Sequence, residues 1–200
     1  MNLTPEGTTS TLRHVALIAI LVLAVVAAFV ALPSRAHAAE VASGTCGTCA
    51  WTLDSDGTLT IGEGTLASND SGSSSFWPWS TTAYRALIKS VKSTGTVKAD
   101  GSLAFLFYHC ALLESADVSD WDTSQATDMI SLFDGCTALT SLDVSGWDTS
   151  QVTSMFATFR YCASLTSLDV SDWKTSNVED MAGMFYGCTS LKSLDTSGWD

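Results

Sequence analysis

Six cysteines are the first side chains in this sequence with chemistry to offer, and all of them lie beyond residue 45. Cys46 and Cys49 form a C-x-x-C. A thioredoxin-type redox pair needs a strand-to-helix turn inside a βαβ unit, and Gly47-Thr48 stands between strand-like residues instead. A zinc half-site needs a second Cys/His pair, and the sequence holds no other C-x-x-C. A local disulfide between Cys46 and Cys49 is therefore the preferred reading, with two free thiols as the alternative. Cys110, Cys136, Cys162 and Cys188 read as small core residues rather than as metal ligands, since buried cysteine is a common core filler.

Acid–base and nucleophilic chemistry has little to draw on. Beyond residue 38 the only histidine is His109, and its neighbour Cys110 belongs to the cysteine series. No nucleophile elbow, phosphate loop or zinc motif occurs. Carboxylates are in excess, yet nothing singles out a pair for glycoside hydrolysis. The expectation is that these 200 residues are not an enzyme and take no cofactor or resident metal.

The carboxylates matter in another way. A net charge of −12 repels nucleic acid and anionic lipid, so neither is an expected partner. Asp117, Asp143, Asp169 and Asp195 recur at a fixed interval of 26 residues. With neighbours Ser141 and Ser167 they are the candidate partner-binding residues. A stacked row of carboxylates could also attract calcium, although no D-x-D-x-D-G loop or glycine-aspartate nonapeptide is present.

The same 26-residue interval organises everything after residue 96. It relates the four cysteines just named, Trp121, Trp147, Trp173 and Trp199, then Leu113, Leu139, Leu165 and Leu191, and also Met129, Met155 and Met181. Periods of about 20–50 residues mark repeat architectures. Leu139-Thr-Ser-Leu142-Asp-Val144 has the L-x-x-L-x-(L/V) spacing of leucine-rich repeats, in which a short strand points Leu142 and Val144 inward and Asp143 outward. Val152, Met155 and Phe159 then share one face of a helical, 3₁₀ or irregular arm. The expected fold is a leucine-rich-repeat-like solenoid, each coil made of a short parallel β-strand and such an arm. Stacking coils would line up Leu, Trp, Met, Phe and Cys inside and Asp outside.

Three segments follow. Residues 1–38 read as a secretory signal peptide, with Arg13 and His14 before the apolar run Val15–Leu32 and an Ala36-His37-Ala38 cleavage site after it. Residues 39–96 read as a β-rich capping module, with a hairpin turning at Asp56-Gly57 and with Trp51, Trp77 and Trp79 closing the stack. Residues 97–200 are four 26-residue repeats, the last truncated. No atypical closing unit precedes Asp200, so the expectation is the N-terminal part of a longer protein, with any cell-wall anchor in the missing part.

Met184-Phe-Tyr-Gly-Cys-Thr-Ser-Leu191 and Leu142-Asp-Val-Ser-Gly-Trp-Asp-Thr-Ser150 resemble the BspA-like leucine-rich-repeat surface proteins, including the branch once catalogued as a mycoplasma-type domain of unknown function. Cys46-Gly-Thr-Cys-Ala-Trp-Thr-Leu-Asp-Ser-Asp-Gly-Thr-Leu-Thr-Ile61 is similar to the module that precedes such repeats, so the resemblance spans residues 44–200. Coil one departs from it at Ala116, where the others carry Leu, and at His109, where two others carry Gly. The resemblance implies a secreted, wall- or surface-associated bacterial protein that adheres to host or microbial surface proteins, and the acidic balance implies no membrane binding by its mature part. The alternatives are a calcium-binding structural repeat or the targeting arm of a larger extracellular enzyme.

Overall fold

The structure is a computed structural model that describes residues 38–199. The segment read as a signal peptide lies outside the described residues apart from Ala38.

Alternation of apolar and polar residues builds the first strands. In β1 (Glu40–Cys46), β2 (Cys49–Asp54) and β3 (Thr58–Thr65) the side chains of Trp51, Leu53, Leu59 and Ile61 all fall on the buried face. Both connections need a left-handed residue, supplied by Gly47 (φ 63°) and Gly57 (φ 88°). A Cβ on Gly47 would stand 2.2 Å from the Thr65 carbonyl oxygen, so the first turn tolerates no side chain there. β1 and β2 pair antiparallel, as do β2 and β3. From β3 onward the sense changes. β3 runs parallel to β4 (Ser90–Lys98), β4 to β6 (Ser115–Ala116), and β6 to β8 (Ser141–Leu142), giving the order β1-β2-β3-β4-β6-β8. A one-turn helix, α1 (Thr82–Arg85), precedes β4 and is capped by the Thr81 hydroxyl, which accepts from the Tyr84 amide.

We number the coils 97–122, 123–148, 149–174 and 175–199. Corresponding residues of neighbouring coils lie side by side: Ser115 pairs with Ser141, and parallel bridges link Asp128 to Ser154 and Ser154 to Asp180. A second, short parallel pair joins β5 (Gly101–Ser102) to β7 (Ala126–Asp128). Among the described residues the arm that follows is a run of turns, neither α nor 3₁₀, and it is regular in its own way. Alternate amides point to the next coil: Phe105 donates to Ile130 O (2.9 Å), Phe107 to Leu132 O (2.9 Å) and His109 to Asp134 O (2.7 Å). The amides between them turn back three residues, Leu106 to Leu103 O and Cys110 to Phe107 O. In coils one to three every backbone donor of the arm is thus used, which is why it can be buried there without being a helix.

That winding requires left-handed residues at two positions per coil. Gly135, Gly183 and Gly187 meet the requirement, but Phe105, His109, Ser131, Ala157 and Tyr161 adopt φ between 51° and 63° without being glycine. Such a backbone costs of order 1 kcal/mol at each non-glycine residue.

Side chains stitch the coils together with one recurring offset. Cys136 Sγ donates to Phe107 O (3.2 Å), Cys162 Sγ to Phe133 O (3.3 Å) and Cys188 Sγ to Phe159 O (3.0 Å), always 29 residues back. Trp147, Trp173 and Trp199 do the same through Nε1 to Val118, Val144 and Val170 carbonyls at 2.9–3.0 Å. Each such carbonyl already accepts its own coil's turn amide, so the side chain satisfies its second lone pair. Inside, Phe107, Phe133, Phe159 and Phe185 stack with ring centroids 5.3–5.8 Å apart. The cysteines are therefore inter-coil donors as well as fillers. Cys136→Ala should lower stability by about 1–2 kcal/mol, from one lost buried donor and a small cavity. Cys136→Ser, which keeps a donor, should lose less. Thermal melts that rank the two variants the other way would remove the donor role.

The tryptophans of the leading segment are buried at the first coil's end. Trp77 Nε1 donates to Ala104 O (2.8 Å) and Trp79 Nε1 to Leu106 O (2.9 Å), while Trp51 meets Trp79 edge to face at 5.9 Å. Their rings offer no outward platform for a sugar.

Candidate binding surface

Asp117, Asp143, Asp169 and Asp195 are exposed, as are Ser141 and Ser167, because strand alternation turns Leu142, Val144, Leu168 and Val170 inward. The structure brings most of these residues together. A shallow hollow of about 650 Å³ crosses three coils and is lined by Asp143, Asp169 and Asp195 with Ser145, Ser167, Ser171 and Ser193. Its floor is Leu142 and Leu168, each 8 % exposed. Asp117 belongs to a neighbouring hollow of about 430 Å³ with Ser93, Thr96, Asp120 and Trp121. Ser141 lines neither.

Each carboxylate of the groove is held by the serine two residues on. Asp143 Oδ1 accepts from Ser145 N (3.1 Å) and Oγ (2.8 Å), Asp169 Oδ1 from Ser171 N (3.1 Å) and Oγ (2.7 Å), and Asp195 Oδ1 from Ser197 N (2.9 Å). In the last two coils such bonds favour the ionised form: Ser171 holds the Asp169 carboxyl below its ordinary value against desolvation and a smaller opposing effect of Asp195, and Ser197 holds that of Asp195 below its own against desolvation. The groove is therefore a row of oriented carboxylates over an apolar floor. Its chemistry is that of an acceptor for cationic and hydrogen-bond-donating groups that also carry apolar surface. Among the described residues no three His, Cys, Asp or Glu side chains come together as a set able to hold a metal ion.

Cys46 and Cys49 face each other as cross-strand partners at the tip of the β1–β2 hairpin, both buried. The disulfide read from their spacing is not formed in this structure, where both are free thiols. Burial raises Cys46 and pushes Cys49 up to about 11, which keeps scarce the thiolate that would attack. His109 is exposed with its ring 4.1 Å from that of Tyr108, and Cys110 beside it is pushed up to about 12 by burial, so the two do not make a nucleophilic pair.

One cluster escaped sequence reasoning. Asp134 is fully buried, and its Oδ2 accepts from Arg160 Nε (3.0 Å) and Nη2 (2.6 Å) of the next coil. The Arg160 guanidinium lies 5.7 Å from the Tyr161 ring centre, and that of Arg85 lies 5.8 Å from Tyr108. The signal was available in the period, since Tyr108, Asp134, Arg160 and Tyr186 share one position of the repeat and two of them carry opposite charges.

Among the described residues no helix is long and apolar enough to cross a membrane. No curated protein and no solved structure matches the chain. A family model described as "Mycoplasma protein of unknown function, DUF285" matches residues 101–200, which include all four coil cysteines and the whole acidic row, and the chain belongs to that family.

Proposed function

We propose that the chain is a secreted, cell-surface scaffold of the BspA-like leucine-rich-repeat type, whose coils stack as a solenoid and whose acidic groove adheres to host or microbial surface proteins. The observation that carries this reading is the fusion of Asp143, Asp169 and Asp195 into one groove across successive coils. A repeated surface of this kind suits several weak contacts acting together, because linked contacts raise the effective concentration of one another. The serine-held carboxylates are oriented before any partner arrives, which reduces the side-chain entropy that binding must overcome.

The test is adhesion of the purified chain to immobilised epithelial-cell surface proteins and to bacterial cells. Asp143→Ser, Asp169→Ser and Asp195→Ser combined should weaken it at least about tenfold, the equivalent of roughly 1.4 kcal/mol. The carboxylates are exposed, so folding should be intact, which thermal melting checks. Unchanged adhesion by a folded triple variant would remove the groove as the binding site.

A further inference from the structure

Charge is distributed unevenly around each coil. In the four stretches 104–113, 130–139, 156–165 and 182–191 the only charged residues are Asp134 and Arg160, and Asp134 is buried against Arg160. The other acidic residues of the coils lie elsewhere on the repeat, in a chain of net charge −12. The turn arm of the coils therefore presents an edge without an accessible carboxylate. Exposed on it are Tyr161 (47 %) and Tyr186 (64 %), whose rings meet at 5.4 Å, together with His109, and half-buried Arg160 lies beside Tyr161. Arg85 extends the edge from α1, with one guanidinium N–H on Tyr108 O (3.3 Å) and no carboxylate within ion-pairing distance among the described residues. Tyrosine and arginine enriched, with Asp, Glu and Lys depleted, is the composition of an interface core and its dominant anchors.

Backbone strain points the same way. Tyr161 holds φ at 57° where coils two and four have Gly135 and Gly187. For a bulky residue this conformation is a genuine outlier, and an aromatic ring left about half exposed recovers little of the cost by burial.

We propose that this tyrosine–arginine edge docks into the acidic groove of a second copy of the chain. The two surfaces are complementary. The groove offers an apolar floor of Leu142 and Leu168 beneath a row of carboxylates, and the edge offers the Tyr161 and Tyr186 rings and, from α1, the Arg85 guanidinium, which has no carboxylate partner among the described residues. The groove carboxylates recur with every 26-residue coil, and on the edge Tyr161 and Tyr186 come from successive coils, so neighbouring rings face neighbouring carboxylates. The net charge of −12 does not forbid the contact, because at ~0.15 M salt charges more than about 8 Å apart are largely screened and the local match decides. Edge and groove are different parts of the coil, so the contact is head-to-tail and each added copy leaves one edge and one groove free.

Two variants separate this arrangement from every other. The edge variant combines Arg85→Gln, Tyr161→Gly and Tyr186→Ser; Tyr161→Gly installs the residue that coils two and four carry, and Arg160 is left in place to protect Asp134. The groove variant is the triple Asp→Ser chain. Sedimentation velocity over a concentration series should show the unaltered chain growing with concentration and each variant remaining monomeric. Mixed in equal amounts, the two variants should form a discrete pair and nothing larger, since one supplies the intact groove and the other the intact edge. A monomeric unaltered chain, an edge variant that associates undiminished, or a mixture that stays monomeric overturns the proposal. The edge variant keeps its groove and frees it from other copies, so its adhesion to cells should be retained or strengthened, and loss of self-association without loss of adhesion leaves the adhesive reading standing.

Discussion

Replacing Arg160 by Met should destabilise the chain by about 3–5 kcal/mol, the usual cost of stranding a buried charge. Asp134 has no exposed surface, and Arg160 is its ion-pair partner across the coil boundary. Even now its Oδ1 has no hydrogen-bond partner, and the Ser131 hydroxyl reaches Oδ2 only at 3.4 Å. Methionine keeps much of the aliphatic stem of Arg160 and removes only the guanidinium, so lost packing is a small part of the effect. The reverse change is milder. The Arg160 side chain is 34 % exposed, so in Asp134→Asn the guanidinium can turn to water. The double variant Arg160→Met/Asp134→Leu should recover most of the loss, because a buried ion pair replaced by apolar groups of similar size is often neutral or better. Denaturant unfolding measures all three. If Arg160→Met and the double variant agree within about 1 kcal/mol, the buried carboxylate is not what Arg160 serves.

Phe133→Ala should cost a similar amount, about 3–5 kcal/mol, but its signature differs. Phe133 is fully buried and stacked between Phe107 at 5.3 Å and Phe159 at 5.8 Å. Removing it empties the middle of the phenylalanine row and weakens two coil boundaries at once. Stability in a stacked array is roughly a sum of the coils and their nearest-neighbour contacts. A weak boundary in coil two therefore lets coils three and four open separately from coil one and the segment that covers it. Hydrogen exchange should show lost protection for the amides of Met155, Ala157 and Phe159, which bond to coil four, while Phe76–Ser80 stays protected. Uniform loss across both regions would mean that the array unfolds only as a whole.

Position in the repeat was legible in the sequence, and conformation within it was only partly so. Strand alternation put Leu142 and Val144 inside and Asp143 outside, and the structure has them there. Asp56-Gly57 announced its hairpin because few dipeptides accept the required dihedrals. The turn arm was harder to read. Val152, Met155 and Phe159 keep helical spacing, yet the chain there is a ladder of turns held by amides of the neighbouring coil. Non-local hydrogen bonds of this kind override local periodicity, and left-handed Ala157 and Tyr161 carry no local sign of it. The acidic row was found because all its members are alike. The Asp134–Arg160 pair was missed because its members differ, and a search for recurrence passes over complementarity.

The ladder of turns also sets a rule of parity. His109 covers Gly135, and Tyr161 covers Gly187: a Cβ on Gly135 would lie 2.9 Å from the His109 ring, and one on Gly187 would lie 2.5 Å from the Tyr161 ring. Hydrogen bonds and core rows repeat with every coil, but this outer row repeats with every second one. A chain shortened by coil two alone would press the His109 ring against Tyr161, whereas loss of coils two and three together would set it over Gly187. Lengthening or shortening by even numbers of coils keeps the outer row intact, and odd steps break it.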